Sequence, residues 1–279
     1  AMSFVPRKLD FLVVGAQKAG TTTLHEWLST HSELALPTIK ETHYFRDADK
    51  FNNGPEWYFR WFPSASSSRL HGEVDPEYLY FSDSIDRIKA MFGDGAQTIA
   101  FVFVFREPLA RSYSHYQMSV RRGLEHLDFP AALEAESRRL AVAESAGTTS
   151  PAHIHHSYFS RSCYAGQVSR FVEAFPRAQR LFMRFDDIAD PTTAPSEYAR
   201  LCSFLGVEAQ MEQVDFTKKS NPASRPRFGQ VRDLLYGQSA LKRTLGRVIP
   251  SKKLKLKIAM AVDRLNQSPV LDHEKTGDW

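Results

Sequence analysis

The chain is short of cysteine, of long apolar runs and of any dominant charge, and each shortage closes off a class of protein. It holds two cysteines, Cys163 and Cys202, in 279 residues. That excludes the disulfide framework of a small secreted domain and points to a reducing compartment, with both thiols expected free and buried or half-buried. No stretch approaches the ~20 consecutive apolar residues that cross a bilayer. The first residues carry no apolar signal core, and Ala1 before Met2 reads as an expression scar, so a cytoplasmic protein without a transmembrane segment is expected. The net charge of +4 is mild. It suits small anionic ligands and gives no reason to expect nucleic acid. Internal repeats and low-complexity tracts are also lacking.

What is present is the composition of a soluble globular protein, 42% hydrophobic and 24% charged, enough to bury a core without staples. Phe11-Leu12-Val13-Val14 is a short apolar run ending at Gly15, the signature of a buried parallel strand. Thr21 to Ser29 reads as a helix, with Leu24, Trp27 and Leu28 at helical spacing. Ile99 to Phe105 is a second continuous apolar run, expected as a central strand beside the first, with a helix after Pro108. Further helices are expected over Phe129–Ala146, Tyr164–Phe175 and Tyr198–Leu205, the last closed by Gly206, with a third strand at Leu181–Phe185. Alternating strands and helices predict an α/β fold: three layers, P-loop-like, with a central parallel sheet flanked by helices. Asn52–Ser68 reads as a surface excursion near the site mouth, Gly147–His156 as a loop, and Lys218–Arg227 as an ordered basic loop. A single domain over residues 3–279 is expected, with a basic helical extension at about 230–270.

Gly15-Ala16-Gln17-Lys18-Ala19-Gly20-Thr21-Thr22-Thr23 joins the first strand to the first helix. A helix N-terminus presents unpaired N–H groups and partial positive charge. Glycine lets the backbone approach an anion, and hydroxyls and a lysine add donors and charge. The spacing nearly fits the nucleotide-triphosphate pattern GxxxxGK[ST], but Thr21 stands where that lysine belongs and the lysine comes early, at Lys18.

The early lysine and the Gly-Thr helix start resemble the 5′-phosphosulfate loop of sulfotransferases that use 3′-phosphoadenosine 5′-phosphosulfate (PAPS). Phe105-Arg106-Glu107-Pro108, with Ser114 eight positions after Arg106, resembles the 3′-phosphate motif of the same family. Lys40-Glu41-Thr42-His43-Tyr44-Phe45 resembles the catalytic segment of its glycosaminoglycan-type branch. Gly72-Glu73-Val74-Asp75-Pro76-Glu77-Tyr78 resembles the stretch near the acceptor, with Val74 in place of the usual lysine. Arg161 to Tyr164 resembles a segment whose tyrosine lies near the nucleotide. The resemblance spans Phe11 to Arg227 and is closer to bacterial members and to the glycosaminoglycan and heparan sulfate-type branch than to the cytosolic phenol and steroid enzymes.

It implies transfer of a sulfuryl group from PAPS to a hydroxyl or amine of a small-molecule or carbohydrate acceptor, leaving PAP (3′-phosphoadenosine 5′-phosphate), with no metal. Glu41 would be the general base, assisted by His43, with Lys18 at the leaving phosphate oxygen. Lys18, Ala19, Gly20, Thr21, Thr22 and Thr23 would hold the 5′-phosphate, Arg106 and Ser114 the 3′-phosphate, and Tyr164 would lie by the nucleotide. His153, His155 and His156 show no carboxylate at ligand spacing, so no metal site is expected there. Two alternatives stay open: a P-loop-type kinase or phosphotransferase, and a non-enzymatic nucleotide-binding module.

Overall fold

The computed structural model describes residues 8–63, 70–144 and 150–218, and the backbone of two short strands at 224–226 and 267–269. The first strand, β1 (Phe11–Gly15), is buried along its whole length, as a strand covered on both faces must be. In chain order there follow α1 (Thr21–Thr30), β2 (Leu34–Ala35), α2 (Ala48–Phe51), α3 (Gly54–Phe59), β3 (Leu70–Val74), α4 (Asp83–Phe92), β4 (Ala100–Phe105), α5 (Pro108–Arg121) and α6 (Phe129–Glu144). Then come α7 (Pro151–His155), α8 (Tyr164–Ala174), β5 (Arg180–Arg184), α9 (Phe185–Ala189), α10 (Ala194–Leu205), β6 (Ser224–Pro226) and β7 (Gln267–Pro269). Strands β1–β5 form one parallel sheet in the order β2-β3-β1-β4-β5, flanked by helices, the α/β architecture the sequence predicts.

This order fixes where a ligand can sit. From β1 the chain moves towards β2 at one edge, and from β4 towards β5 at the other. The crevice outside the carboxyl ends of β1 and β4 is therefore a topological switch point, where open α/β sheets bind ligands. The loop after β1 and Arg106 after β4 both open onto it.

Local chemistry sets the helix ends. Glu107 caps α5, its carboxylate accepting from the N–H groups of Leu109 and Ala110, and Pro108 takes a first-turn position where no N–H is needed. Gly206 ends α10 with φ 78°, the left-handed conformation that glycine adopts without strain.

Several expectations are corrected. Asn52–Ser68 is no surface excursion over its described part: α3 lies within it, and Tyr58, Phe59 and Phe62 join the core. Pro151–His155 is helical rather than loop, with the Ser150 side chain accepting from the His153 N–H. The third strand begins at Arg180, and Phe185 opens α9 instead of ending the strand. Cys163 is exposed, while Cys202 is buried. Within the basic stretch at 218–227, Ser224–Pro226 is a strand paired antiparallel with Gln267–Pro269. Those last three residues are the described part of the expected helical extension, and they are extended; the rest of it lies outside the described residues.

Candidate active site

The loop after β1 is built to meet an anion. Gly20 precedes α1 with φ 94° and, as glycine, brings no side chain to cap the helix N-terminus. The conformation favours glycine, and a Cβ at Gly20 would also lie a tight 3.1 Å from the Phe185 ring, which would have to give way. Lys18 has φ 68°, and the Arg106 guanidinium donates to its carbonyl at 3.4 Å. Burial lowers the Lys18 ammonium to about 7, and the neighbouring charges of Arg121, Arg122, Arg106 and Lys40 push the same way. Such a set of cations around a helix N-terminus fits a multiply charged phosphate, which would offset that mutual repulsion.

The loop is braced from behind. The Gln17 amide donates to Glu77 Oε1 at 2.7 Å, and Glu77 forms a two-pronged pair with Arg161 at 3.1 and 3.0 Å. Arg111, fully buried, donates to Ser162 Oγ at 2.6 Å, to the Tyr158 carbonyl and, at 3.4 Å, to the Gln17 carbonyl. Tyr164 donates to the Arg106 carbonyl at 2.9 Å, and the Arg106 guanidinium lies 4.4 Å from the centre of the Phe185 ring. Arg106 is thus held at the loop from three sides.

The acidic segment is held beside the loop by β3 and the turn after it. Glu73 and Asp75, two apart, face the same way. They accept successive backbone N–H groups, Glu73 Oε1 from Thr42 at 2.8 Å and Asp75 Oδ2 from His43 at 2.7 Å. The other Glu73 oxygen accepts from the hydroxyls of Tyr58 and Tyr78 at 2.8 and 2.9 Å. Burial and the charge of Asp75 raise the Glu73 carboxyl to about 7. Downstream, the Asp75 and Leu79 N–H groups donate to Val13 and Val14 of β1, which ties this segment to the strand that launches the loop.

Three non-glycine residues among those described have positive φ: Lys18 at 68°, Glu41 at 59° and His43 at 55°. They are the three residues read from the sequence as catalytic. Left-handed backbone at such residues costs free energy and persists where surrounding bonds over-determine it, a pattern concentrated at functional sites. Burial and the Asp75 charge raise the Glu41 carboxyl, against the opposing pull of Lys40 and His43. Burial alone would lower the His43 imidazole, but the charge and hydrogen bond of Asp75 outweigh it and hold it above the ordinary histidine value. Lys40 joins the two halves of the site, 3.2 Å from Glu41 Oε1 and donating at 2.7 Å to Thr22 Oγ1.

The structure therefore brings Lys18, Ala19, Gly20, Thr21, Thr22, Thr23, Arg106 and Tyr164 to one crevice, with Glu41 joined to them through Lys40. Ser114 lies half-buried on the second turn of α5, and its hydroxyl makes no hydrogen bond among the described residues. His153 and His156 are engaged locally, with Ser150, Tyr158 and Glu125. The sequence reading missed Asp75, Gln17, Arg111 and the Glu77–Arg161 pair. One signal was present: Glu73, Asp75 and Glu77 place a carboxylate at every second residue of a short stretch.

The profile of the sulfotransferase domain matches residues 8–221, most of the chain. The chain belongs to the sulfotransferase family. Among relatives of this chain, the membrane-associated sulfotransferase kil1 of Dictyostelium discoideum is 30% identical over 40% of this chain and 23% of its own. The bifunctional heparan sulfate N-deacetylase/N-sulfotransferase 2 of Bos taurus is 26% identical over 71% of this chain and 22% of its own. The chain thus spans less than a quarter of the length of these relatives. Among solved structures, a sulfotransferase from Alicyclobacillus acidocaldarius is 26% identical with a TM-score of 0.62, covering 77% of this chain and 87% of that one.

Proposed function

We propose that this chain transfers a sulfuryl group from PAPS to a hydroxyl or amine of a small-molecule or carbohydrate acceptor. The observation that carries the reading is the join made by Lys40, which sets the raised carboxylate of Glu41 beside an anion-binding loop whose lysine is early. Family membership supports the reaction class. The relatives named for heparan sulfate N-sulfation support a carbohydrate or amine-bearing acceptor, without narrowing it further.

The donor supplies the sulfuryl group and leaves as PAP. The rest is the work of this chain's residues. Thr21, Thr22 and Thr23, with the α1 N-terminus, would hold the 5′-phosphate oxygens, and Lys18 would place a cation where negative charge grows. Arg106 and Ser114 would take the 3′-phosphate, with Tyr164 fixing the Arg106 backbone. Glu41 would accept the acceptor's proton. Its raised proton affinity suits that task, because a base works best when its pKa lies near the working pH. No observation favours the kinase or the non-enzymatic alternative.

The test is transfer of label. Incubation with ³⁵S-labelled PAPS and a panel of hydroxyl- and amine-bearing sugars and small molecules should move label to an acceptor with one PAP released per transfer. Release of γ-phosphate from ATP, with no label moved from PAPS to any acceptor, would overturn the assignment.

A further inference from the structure

Asp75 is fully buried, yet its side chain gathers donors from both sides of the acceptor segment. Oδ2 accepts the His43 backbone N–H at 2.7 Å, Oδ1 accepts the Glu77 N–H at 3.1 Å, and the His43 ring nitrogen Nδ1 lies 3.0 Å from Oδ2. Carboxylate oxygens accept, so Nδ1 donates and carries the proton. That leaves Nε2 as the nitrogen available to a partner, on a side chain that keeps 27% of its surface exposed. One bond engages the backbone of the turn; the other engages the ring and so orients an imidazole.

We propose that Asp75 is a positioning residue of the acceptor side, fixing the turn and the tautomer of His43 so that Nε2 meets the acceptor group. The proposal rests on the sulfotransferase reading for its chemistry, but its geometry is independent of it. The arrangement follows the logic by which a buried carboxylate orients a working histidine elsewhere in enzymes. Here Val74 is buried and apolar, so the segment after β3 offers the acceptor no cation of its own, and protonated His43 could supply one beside Glu41. The charged groups facing His43 are Asp75 and Glu77 from the segment after β3, and Arg46 and Glu41 from its own segment. Asp75 and Glu77 favour the imidazolium, and Arg46 opposes it.

The test combines side-chain NMR of His43 with kinetics. In the wild type the neutral ring should be protonated at Nδ1, with a titration midpoint above the ordinary value of roughly 6.5. Asp75→Asn should lower that midpoint and mix the tautomers. It should cut turnover by roughly 10–100-fold, the scale for removing a partner that orients a functional histidine, while PAP affinity stays within a few-fold. In a His43→Gln background, Asp75→Asn should cost markedly less than in the wild type, because the share of its effect that runs through the ring is already lost. The proposal is overturned if Asp75→Asn leaves the midpoint and tautomer of His43 unchanged, or costs as much in the His43→Gln background as in the wild type. Should Asp75→Asn fail to fold, the wild-type spectrum still decides, since a mixed tautomer with a midpoint at or below the ordinary value contradicts it. Absence of sulfuryl transfer by the wild type would count against the reaction class and leave the NMR result standing.

Discussion

Lys40 Nζ donates to the Thr22 hydroxyl at 2.7 Å while lying 3.2 Å from Glu41 Oε1. One side chain thereby couples the first turn of α1 to the Glu41 carboxylate. It also opposes the rise in the Glu41 proton affinity that burial and Asp75 produce. Lys40→Met should raise that affinity further, so the acidic limb of the pH–rate profile should move to higher pH, by up to about one unit. An unmoved limb would mean that Glu41 does not set it.

Glu41→Gln keeps the shape of the side chain and removes its proton affinity. Turnover should fall by roughly 10²–10⁴-fold, and the acidic limb should vanish. PAP affinity, read by calorimetry, should hold within a few-fold, because the proposed role of Glu41 is towards the acceptor rather than the nucleotide. Near-normal turnover would remove Glu41 from the mechanism and leave His43 as the leading base.

Lys18 sits at about 7 in the free protein because burial and four neighbouring cations disfavour its charged form. A bound phosphate favours that form, so binding above this pH must take up a proton. PAP affinity should therefore be level below about pH 7 and fall as pH rises above it, by up to roughly tenfold per unit. Lys18→Met should weaken both binding and turnover and should flatten this dependence. The check is calorimetry in buffers of different ionisation enthalpy, which reports the proton uptake directly.

Arg106 is the residue assigned to the 3′-phosphate. A hydrogen bond to a charged group contributes roughly 1.5–3 kcal/mol, so Arg106→Ala should weaken PAP binding by about 10–100-fold. Adenosine 5′-phosphosulfate lacks the 3′-phosphate, and its binding should barely change. Equal losses for both ligands would contradict the assignment.

Away from the crevice, Glu125 is buried and accepts from Arg139 at 2.5 and 3.1 Å and from the Tyr158 hydroxyl at 3.0 Å. Burial alone would raise its carboxyl, but the bonds from Arg139, the Leu127 N–H and Tyr158 prevail and lower it from 4.5 to about 2. A depressed carboxylate stabilises the fold above its unfolded value and loses that contribution as pH falls towards the folded one. Stability measured by urea unfolding should thus decline between about pH 4.5 and 2, and Glu125→Gln should reduce the slope of that decline.

The parts of this account carried by local pattern were legible in the sequence. β1 and β4 are continuous apolar runs, α1 and α5 follow glycine and proline signals, and the loop between β1 and α1 carries its chemistry in consecutive residues. β3 was not legible, because Leu70–Val74 holds His71, Gly72 and Glu73. Its burial makes sense once Tyr58 and Tyr78 arrive to satisfy Glu73. The aromatic residues of α3 read as an excursion because their partners, Tyr44 and Phe45, come from an earlier loop. The positive φ of Lys18, Glu41 and His43 leaves no mark in residue type, since none is glycine. The Asp75–His43 and Glu77–Arg161 pairs join residues far apart in the chain, and no spacing rule links them.

The most direct measurement is a pair of titrations of the wild-type protein, one with PAP and one with ATP and Mg²⁺. If Arg106 and the loop after β1 form a site for a 3′,5′-bisphosphorylated adenosine, PAP should bind at least roughly tenfold more tightly than ATP, the smaller end of what one charged hydrogen bond contributes. A protein that binds ATP with Mg²⁺ as tightly as PAP, or fails to bind PAP, contradicts the account.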